Sequence, residues 1–237
     1  MMPAMARAIP ENRLKELLAC ATRVFIAHGY RRTQIADVAR ALGVAKGTLY
    51  LYVESKEALF AAVLRYADGE SPSASELELP IAAPEPGSLV RRLRERVAEE
   101  AVPPALLRAL GRRRVTNVRA ELEEIVRALF DAASRHRTAI ELIDRCGADH
   151  PELASTFYGE GRFAQLDCLV RYLDARIRTG KLPPVPDVAV AARFVIEAIV
   201  TWAVHIHWDP APQPIDPRDG EETVVWMVVG GLTRGER

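Results

Sequence analysis

Thr33 to Phe60 reads TQIADVARALGVAKGTLYLYVESKEALF, and the rest of the chain is organised around it. Ile35, Val38, Ala39 and Leu42 recur at the i, i+3, i+4, i+7 spacing that places side chains on one face of a helix. Gly43 ends that helix, because glycine enters the left-handed conformation at little steric cost. Val44 and Leu49 supply the apolar side of a second helix, and Ser55-Lys56-Glu57 reads as the N-cap and first turn of a third. Ala39 is small where the first two helices cross, with Gly43 and Leu49 following it. Small, glycine and apolar residues in this order close the elbow of a helix-turn-helix, whose second helix enters the DNA major groove.

Lys46, Gly47, Thr48, Tyr50 and Tyr52 are left on the outward side, facing solvent or a partner. Taken with them, GVAKGTLYLYVESKEALF resembles the tetracycline-repressor (TetR) class of bacterial transcription regulators, whose usual wording is close to GVSKGTLYxYFxSKEELF. The resemblance runs from Leu14 to Leu64; beyond it only length, helical pattern and order of segments are shared. It implies that Lys46, Gly47, Thr48 and Tyr52 lie near bases or groove phosphates. It implies too that Thr33, Tyr50 and Lys56 hold the DNA backbone, and Gln34 is counted with them. The physics agrees, since helix N-termini favour phosphate and tyrosine hydroxyls donate to it. Two positions depart from the pattern. Ala45 stands where the family has Ser or Thr, so the recognition helix lacks a side-chain cap. Val53 replaces the usual Phe, thinning the support behind Tyr50 and Tyr52.

The 237 residues are 49% hydrophobic and 27% charged, ordinary for a globular protein with a sizeable core. Formal net charge is zero, so nothing global announces nucleic acid. Between Glu11 and Tyr66, however, nine Lys/Arg face five acids, a modest positive excess on the proposed reading head. Cys20, Cys146 and Cys168 are odd in number and show no C-x-x-C pairing, which points to a reduced, cytoplasmic compartment. Met1 to Pro10 has no apolar core of signal-peptide length and is expected to be a disordered arm in which Arg7 is solvated.

Along the chain, Glu11 to His28 carries an apolar stripe of Leu14, Leu17, Leu18, Ala21, Val24 and Phe25, and Gly29-Tyr30 ends it. Thr33 is the expected N-cap of the next helix. The third helix of the elbow should run from Ser55 to Asp68. Residues 69–88 are rich in Pro, Ser and Glu without a period, and read as a linker or mobile loop. Helices are then expected at 89–102, 104–114, 116–135, 138–146, 151–179 and 187–208. Glu221 to Leu232 would suit a strand by its valines, but in an all-helical context reads as a terminal helix. Val188 to Trp208 is apolar nearly all round and needs cover on more than one side, from its own domain and from a second copy. Arg193, Glu197, Thr201 and His205 form its polar row and interrupt it enough that no membrane span is expected.

The expected fold is all-α, with a helix-turn-helix DNA-binding domain over 11–68 and a larger helical ligand-sensing and dimerisation domain over 89–237. By resemblance the function is a ligand-responsive regulator, a repressor rather than an activator, gripping a palindromic double-stranded DNA operator as a homodimer. Phe130, Phe163, Phe194, Glu197, Trp202 and His205 are the candidate contacts for an apolar or aromatic small-molecule effector carrying one polar group. The polar row equally suits water or the partner subunit. His136, Arg137, Glu141, Asp144, Arg145 and Cys146 crowd a second region that reads as either a small-molecule contact or a solvated helix face. His205 and His207, two apart, point to different sides of a helix and lack an acid–cysteine cluster, so no metal is expected. No cofactor is implied, and the absence of G-x-S-x-G, Walker, G-x-G-x-x-G and H-E-x-x-H motifs argues against an enzyme. The rival readings are a helical carrier or enzyme without specific DNA binding, and an architectural DNA-binding protein without a ligand.

Overall fold

The computed structural model describes residues 11–69 and 78–234. The N-terminal arm and residues 70–77 of the expected linker lie outside the described residues. Among the described residues every regular element is a helix, and the only β pairing is an isolated parallel bridge between Val53 and Ile81. The chain divides into two compact units.

The first unit comprises the residues up to Leu89 together with Leu142–Pro151. Helix α1 (Glu11–Arg32) buries the predicted stripe, and Gly29 (φ 74, ψ 169) breaks it so that Tyr30 to Arg32 form a separate last turn. Helix α2 (Ile35–Leu42) packs against α1 through Ile35, Val38 and Ala39. Gly43 takes the left-handed conformation at φ 71, and the Val44 N–H donates back to the Ala39 carbonyl at 3.0 Å. This 6→1 bond closes the helix in a Schellman-type end. The N-cap of α2 is Gln34, not the expected Thr33. Thr33 is fully buried and donates its hydroxyl to the Gly29 carbonyl at 2.7 Å, tying down the broken end of α1. Asp37 instead accepts from the Gln34 N–H at 2.9 Å, satisfying one orphan donor of the helix start.

Helix α3 (Lys46–Leu49) is a single turn with no side-chain cap at Ala45, shorter than the sequence suggests. Helix α4 (Lys56–Ala67) starts as expected, with the Ser55 hydroxyl accepting from the Ala58 N–H at 3.1 Å. It packs along α1, and Phe60 meets Phe25 edge-on at 5.2 Å between ring centroids.

The second unit comprises Val90–Glu141 and the chain from Glu152 onward. Helices α5 (Ser88–Glu100), α6 (Pro104–Gly111), α7 (Val118–Arg135) and α8 (Arg137–Cys146) follow in order, the first and last of them crossing between the two sets of residues. The expected single helix over 151–179 is α9 (Pro151–Ala154), a π-helical stretch (Ser155–Arg162) and α10 (Phe163–Arg178). The π stretch contains Gly159 and Gly161, and a side chain at Gly161 would come within 3.1 Å of Val97. Helix α11 (Val188–Ala203) is capped by Asp187, which accepts from the Val190 N–H at 2.8 Å. It stops at Val204, and His205–Trp208 continue as a tighter 3₁₀ turn ahead of Pro210 and Pro212. The expected four-step polar row therefore loses His205. The C-terminal segment is helical, as expected: α12 (Pro217–Thr233) starts at its Asp216 cap.

Helix α11 packs against α7, α10 and α12, and α6 packs on α7 and α10. Val188–Trp208 has the length and mean hydropathy (1.6) of a membrane span, but its Val195, Ile196 and Ile199 are part of the core of this unit. That core holds one buried ion pair. Arg176 of α10 donates through Nε to Glu121 of α7 at 2.8 Å and through a second nitrogen to the Ala109 carbonyl at 2.6 Å. Arg112 approaches the other Glu121 oxygen at 3.5 Å, and the Arg176 guanidinium lies 5.0 Å from the Tyr172 ring centroid. Burial, and then the nearby Glu121 carboxylate, raises the Tyr172 hydroxyl pKa above its usual range.

Removing one partner strands the other charge in an apolar interior. Arg176→Ala is expected to destabilise the protein by about 3–5 kcal/mol in chemical denaturation. Replacing Glu121 and Arg176 together by leucine should recover much of that loss. Equal losses in the single and double variants would show that the pair's geometry, not its charge, is what the core requires.

Candidate nucleic-acid interface

The candidate surface follows from how little of α3 is held from within. Leu49 points fully into the core, while Lys46 and Gly47 are exposed and Thr48 is half-buried. Tyr50 is 43% exposed, and the Lys46 ammonium lies 5.9 Å from its ring centroid. These four residues form one outward surface at the start of α3 and just beyond it. The lysine charge and the hydroxyls of Thr48 and Tyr50 suit a phosphate or a base edge.

Tyr52 is not part of that surface. The sequence places it outward, but its side chain is 7% exposed, because the chain turns directly after Leu49 instead of continuing the helix. The neighbouring Leu51 takes the outward position at 62% exposure. Val53 is fully buried.

Thr33 and Lys56, both expected to hold the DNA backbone, have internal partners. Thr33 is bonded to Gly29 as described. The Lys56 ammonium donates to the Tyr30 carbonyl at 3.2 Å and to the Arg31 carbonyl at 3.5 Å, and sits 4.3 Å from the Tyr30 ring centroid. It thereby neutralises the carbonyl end of α1. Gln34 is exposed beside Thr33.

The first unit also holds a cluster that local sequence does not announce. The end of α8 and the following turn supply Leu142, Ile143, Cys146, Asp149 and His150 to the first unit. The His150 ring stacks on Phe60 at 4.8 Å and meets Tyr30 edge-on at 4.2 Å. Asp149 accepts from the Arg31 N–H at 2.7 Å, and the Tyr30 hydroxyl donates to Glu57 at 3.0 Å. Cys146 donates its thiol to the Phe25 carbonyl at 3.8 Å, and burial pushes its pKa up to about 12. That thiol is a packing group, with little of the thiolate character reactivity needs. These partners lie 118 and 121 residues apart in the chain, beyond the reach of any spacing argument.

In the second unit the six candidate effector contacts are not gathered around one point. Phe130 is buried in the core, whereas Phe163 and Phe194 are 60% and 67% exposed. Glu197 is paired with Arg162 and with Arg193 of its own helix. The Trp202 ring packs against Gly220, where an added Cβ would come within 3.0 Å of it. His205 lies 3.5 Å from the buried Glu141. The buried set Glu121, Tyr172 and Arg176 escaped the sequence reading. Its signal is an arginine four residues after a tyrosine, on the same face as Leu169 and Leu173.

Residues 17–63 match the family described as bacterial regulatory proteins, tetR family. A search of curated proteins finds no match. Among solved structures, the chain is similar to the ketosteroid transcriptional regulator KstR2 of Mycobacterium tuberculosis. The two are 19% identical, with 96% of this chain and 98% of that one covered and a TM-score of 0.57. A regulatory protein of the tetR family from Rhodococcus RHA1 is 16% identical, with 94% and 97% covered and a TM-score of 0.52. SCO3833 from Streptomyces coelicolor A3, of the same family, is 21% identical, with 92% and 91% covered and a TM-score of 0.51. At such identities the likeness to these structures is one of fold.

The aromatic cluster makes the first unit sensitive to acid. Burial lowers the His150 pKa below the ordinary 6.5, Lys56 adding to that effect while Asp149 and Glu57 oppose it. The unfolded chain thus takes up a proton at a pH where the folded chain still refuses it. Stability from this residue is complete above about pH 6.5 and is lost as the pH falls through the lower folded value. Thermal melting at a series of pH values should show a decline on acidification that is shallower in His150→Phe, which keeps a ring against Phe60. Parallel profiles would remove His150 as the cause.

Proposed function

We propose that this chain, a member of the tetR family of bacterial regulatory proteins, is a ligand-responsive transcription regulator acting in the cytoplasm as a homodimeric repressor. Residues 11–68 serve as the DNA-binding domain and residues 89–237 as the sensing and dimerising domain. The observation that carries the reading is the elbow itself: a glycine-closed α2, a one-turn α3 and an outward surface of Lys46, Gly47, Thr48 and Tyr50. Such an elbow inserts the N-terminal half of its second helix into the major groove. Gln34 and Lys56, at the starts of α2 and α4, flank the groove on the phosphate side, and buried Thr33 holds the end of α1 beneath them. Tyr52 acts from beneath, by setting the height of α3. No catalytic role is assigned.

A two-fold dimer places two such surfaces about one helical turn of DNA apart, which calls for a roughly palindromic operator. The dimer reading is supported by large apolar side chains left outward on three helices that pack in sequence. They are Phe163 on α10, Val190 and Phe194 on α11, and Trp226 and Met227 on α12. A monomer rarely exposes that much apolar surface without a partner. Phe163 and Phe194 are accordingly assigned to the subunit interface. A mainly apolar effector with one polar group would bind within residues 89–237, at a place that Phe130, Glu197, Trp202 and His205, not gathered around one point, do not define. Such an effector acts only by binding one arrangement of the two reading heads better than another.

Selecting bound sequences from random DNA, then repeating the binding with candidate small molecules, tests the whole reading. A selected site should be palindromic, and no enrichment at all would sink it. On that site, Thr48→Ala should cost about 1–3 kcal/mol preferentially, as loss of a base contact does. Lys56→Ala should weaken binding similarly on all sequences and reduce the salt slope by about one unit.

The dimer has its own test. Phe194→Glu or Trp226→Glu should give a folded monomer by sedimentation, with poor operator affinity. Ile199→Glu, which buries a charge in the core, should unfold the protein. A wild type that sediments as a monomer at micromolar concentration would remove the half-site argument.

A further inference from the structure

The stretch after α4, with its many Pro, Ser and Glu residues, has the composition of a spacer, yet part of it is bonded to the reading head. The Ile81 N–H donates to the Tyr52 carbonyl at 2.8 Å, and the Glu54 N–H donates to the Ile81 carbonyl at 3.0 Å. These two bonds make the parallel bridge to Val53. Two residues on, the Ala83 N–H donates to the Glu54 carboxylate at 3.4 Å. We propose that Ile81 to Ala83 is a positioning strap for the recognition helix, with Ile81 fixing the exit of α3 and thereby the angle at which Lys46, Thr48 and Tyr50 are presented.

The need for such a strap follows from α3. A single turn is too short to be stable alone, and Ala45 offers its start no side-chain acceptor. At its far end the Tyr52 and Val53 N–H groups bond back to the Leu49 carbonyl at 2.9 and 3.0 Å. The next backbone groups, the Tyr52 carbonyl and the Glu54 N–H, fall between helices, where no ladder serves them. Ile81 satisfies both at once. Because Val53 is fully buried between them, the bridge locks an inward side chain and an outward helix in one register. Val53 is smaller than the phenylalanine of the resembling pattern, and the half-buried Ile81 brings its apolar side chain to the paired position.

This inference rests on the DNA-binding reading, and the experiment separates the two. Ile81→Pro in the full-length protein deletes the donor to Tyr52, while Ile81→Ala keeps both backbone bonds. Affinities are measured on the selected operator and on random DNA, with thermal melting alongside. Ile81→Pro should bind the operator about three- to tenfold more weakly, the scale of one or two lost hydrogen bonds. Its binding to random DNA and its melting temperature should stay close to wild type, and Ile81→Ala should lose less. Loss of operator and random binding in equal measure, or no loss at all, would overturn the strap. Amide hydrogen exchange on the wild type gives an independent reading that needs no DNA. Protected Ile81 and Glu54 amides support the strap even if the chain selects no sequence, and amides exchanging at the rate of a free peptide would overturn it.

Discussion

A helix of four residues cannot hold its own shape in water, and that constraint governs the N-terminal half of this protein. Forming one helical turn fixes several dihedrals for a single internal hydrogen bond, so α3 must borrow its order from its surroundings. Gly43 sets the direction of entry, Leu49 anchors the middle, and buried Tyr52 and Val53 hold the exit. Ser55 then starts α4 on a fixed cap. The proposed DNA-facing surface is the thin outer skin of this arrangement, and it is exposed because everything beneath it is not. The same logic gives Lys56 and Thr33 their double character. Each was expected to meet a phosphate, and each secures the end of α1.

The second unit solves a different problem. Its helices bury long apolar faces against one another, and apolar burial alone does not select one packing over its neighbours. The Glu121–Arg176 pair adds a directional tie, since Arg176 reaches both a carboxylate on α7 and the Ala109 carbonyl at the end of α6. Three helices are thereby joined through one side chain. Helix α12 shows how sharply the two faces of an element are divided: Val224, Val225, Val228 and Val229 are buried while Trp226 and Met227 are outward.

What the sequence made legible was what is decided within a few residues. Gly43 and Ser55 mark helix ends because capping and positive φ are local demands, and each is found in that role. The apolar stripe of α1 follows from helical period alone. Misplacements occur where a neighbour in space competes with a neighbour in sequence. Thr33 looks like a cap, but a carbonyl freed by the break at Gly29 takes its hydroxyl first. Tyr52 looks outward only while α3 is imagined to continue. His205 leaves its row because α11 ends at Val204. Ile81 and His150 could not be found by spacing at all, since their partners are separated from them by dozens of residues or more. The proposed site was legible for Lys46, Gly47, Thr48 and Tyr50, whose exposure follows from a helical face. It was not legible in the second unit, where the same aromatic letters serve as core at Phe130 and as outward surface at Phe163 and Phe194.

The participation of Leu142–Pro151 in the first unit has a consequence for how this protein could have been assembled or could be divided. A reading head that finishes its own core with residues from the middle of the chain is not a bead that can be cut from the string. A fragment ending near Leu89 would uncover the Phe25–Phe60 contact and leave the Tyr30 ring without its histidine neighbour. Such a fragment keeps every residue of the helix-turn-helix and loses part of what makes it solid. Exchange of the N-terminal segment between relatives would for the same reason have to carry, or be matched to, the tip of α8. The compact unit that carries the helix-turn-helix is therefore discontinuous: one long segment and a ten-residue patch, each completing the core of the other.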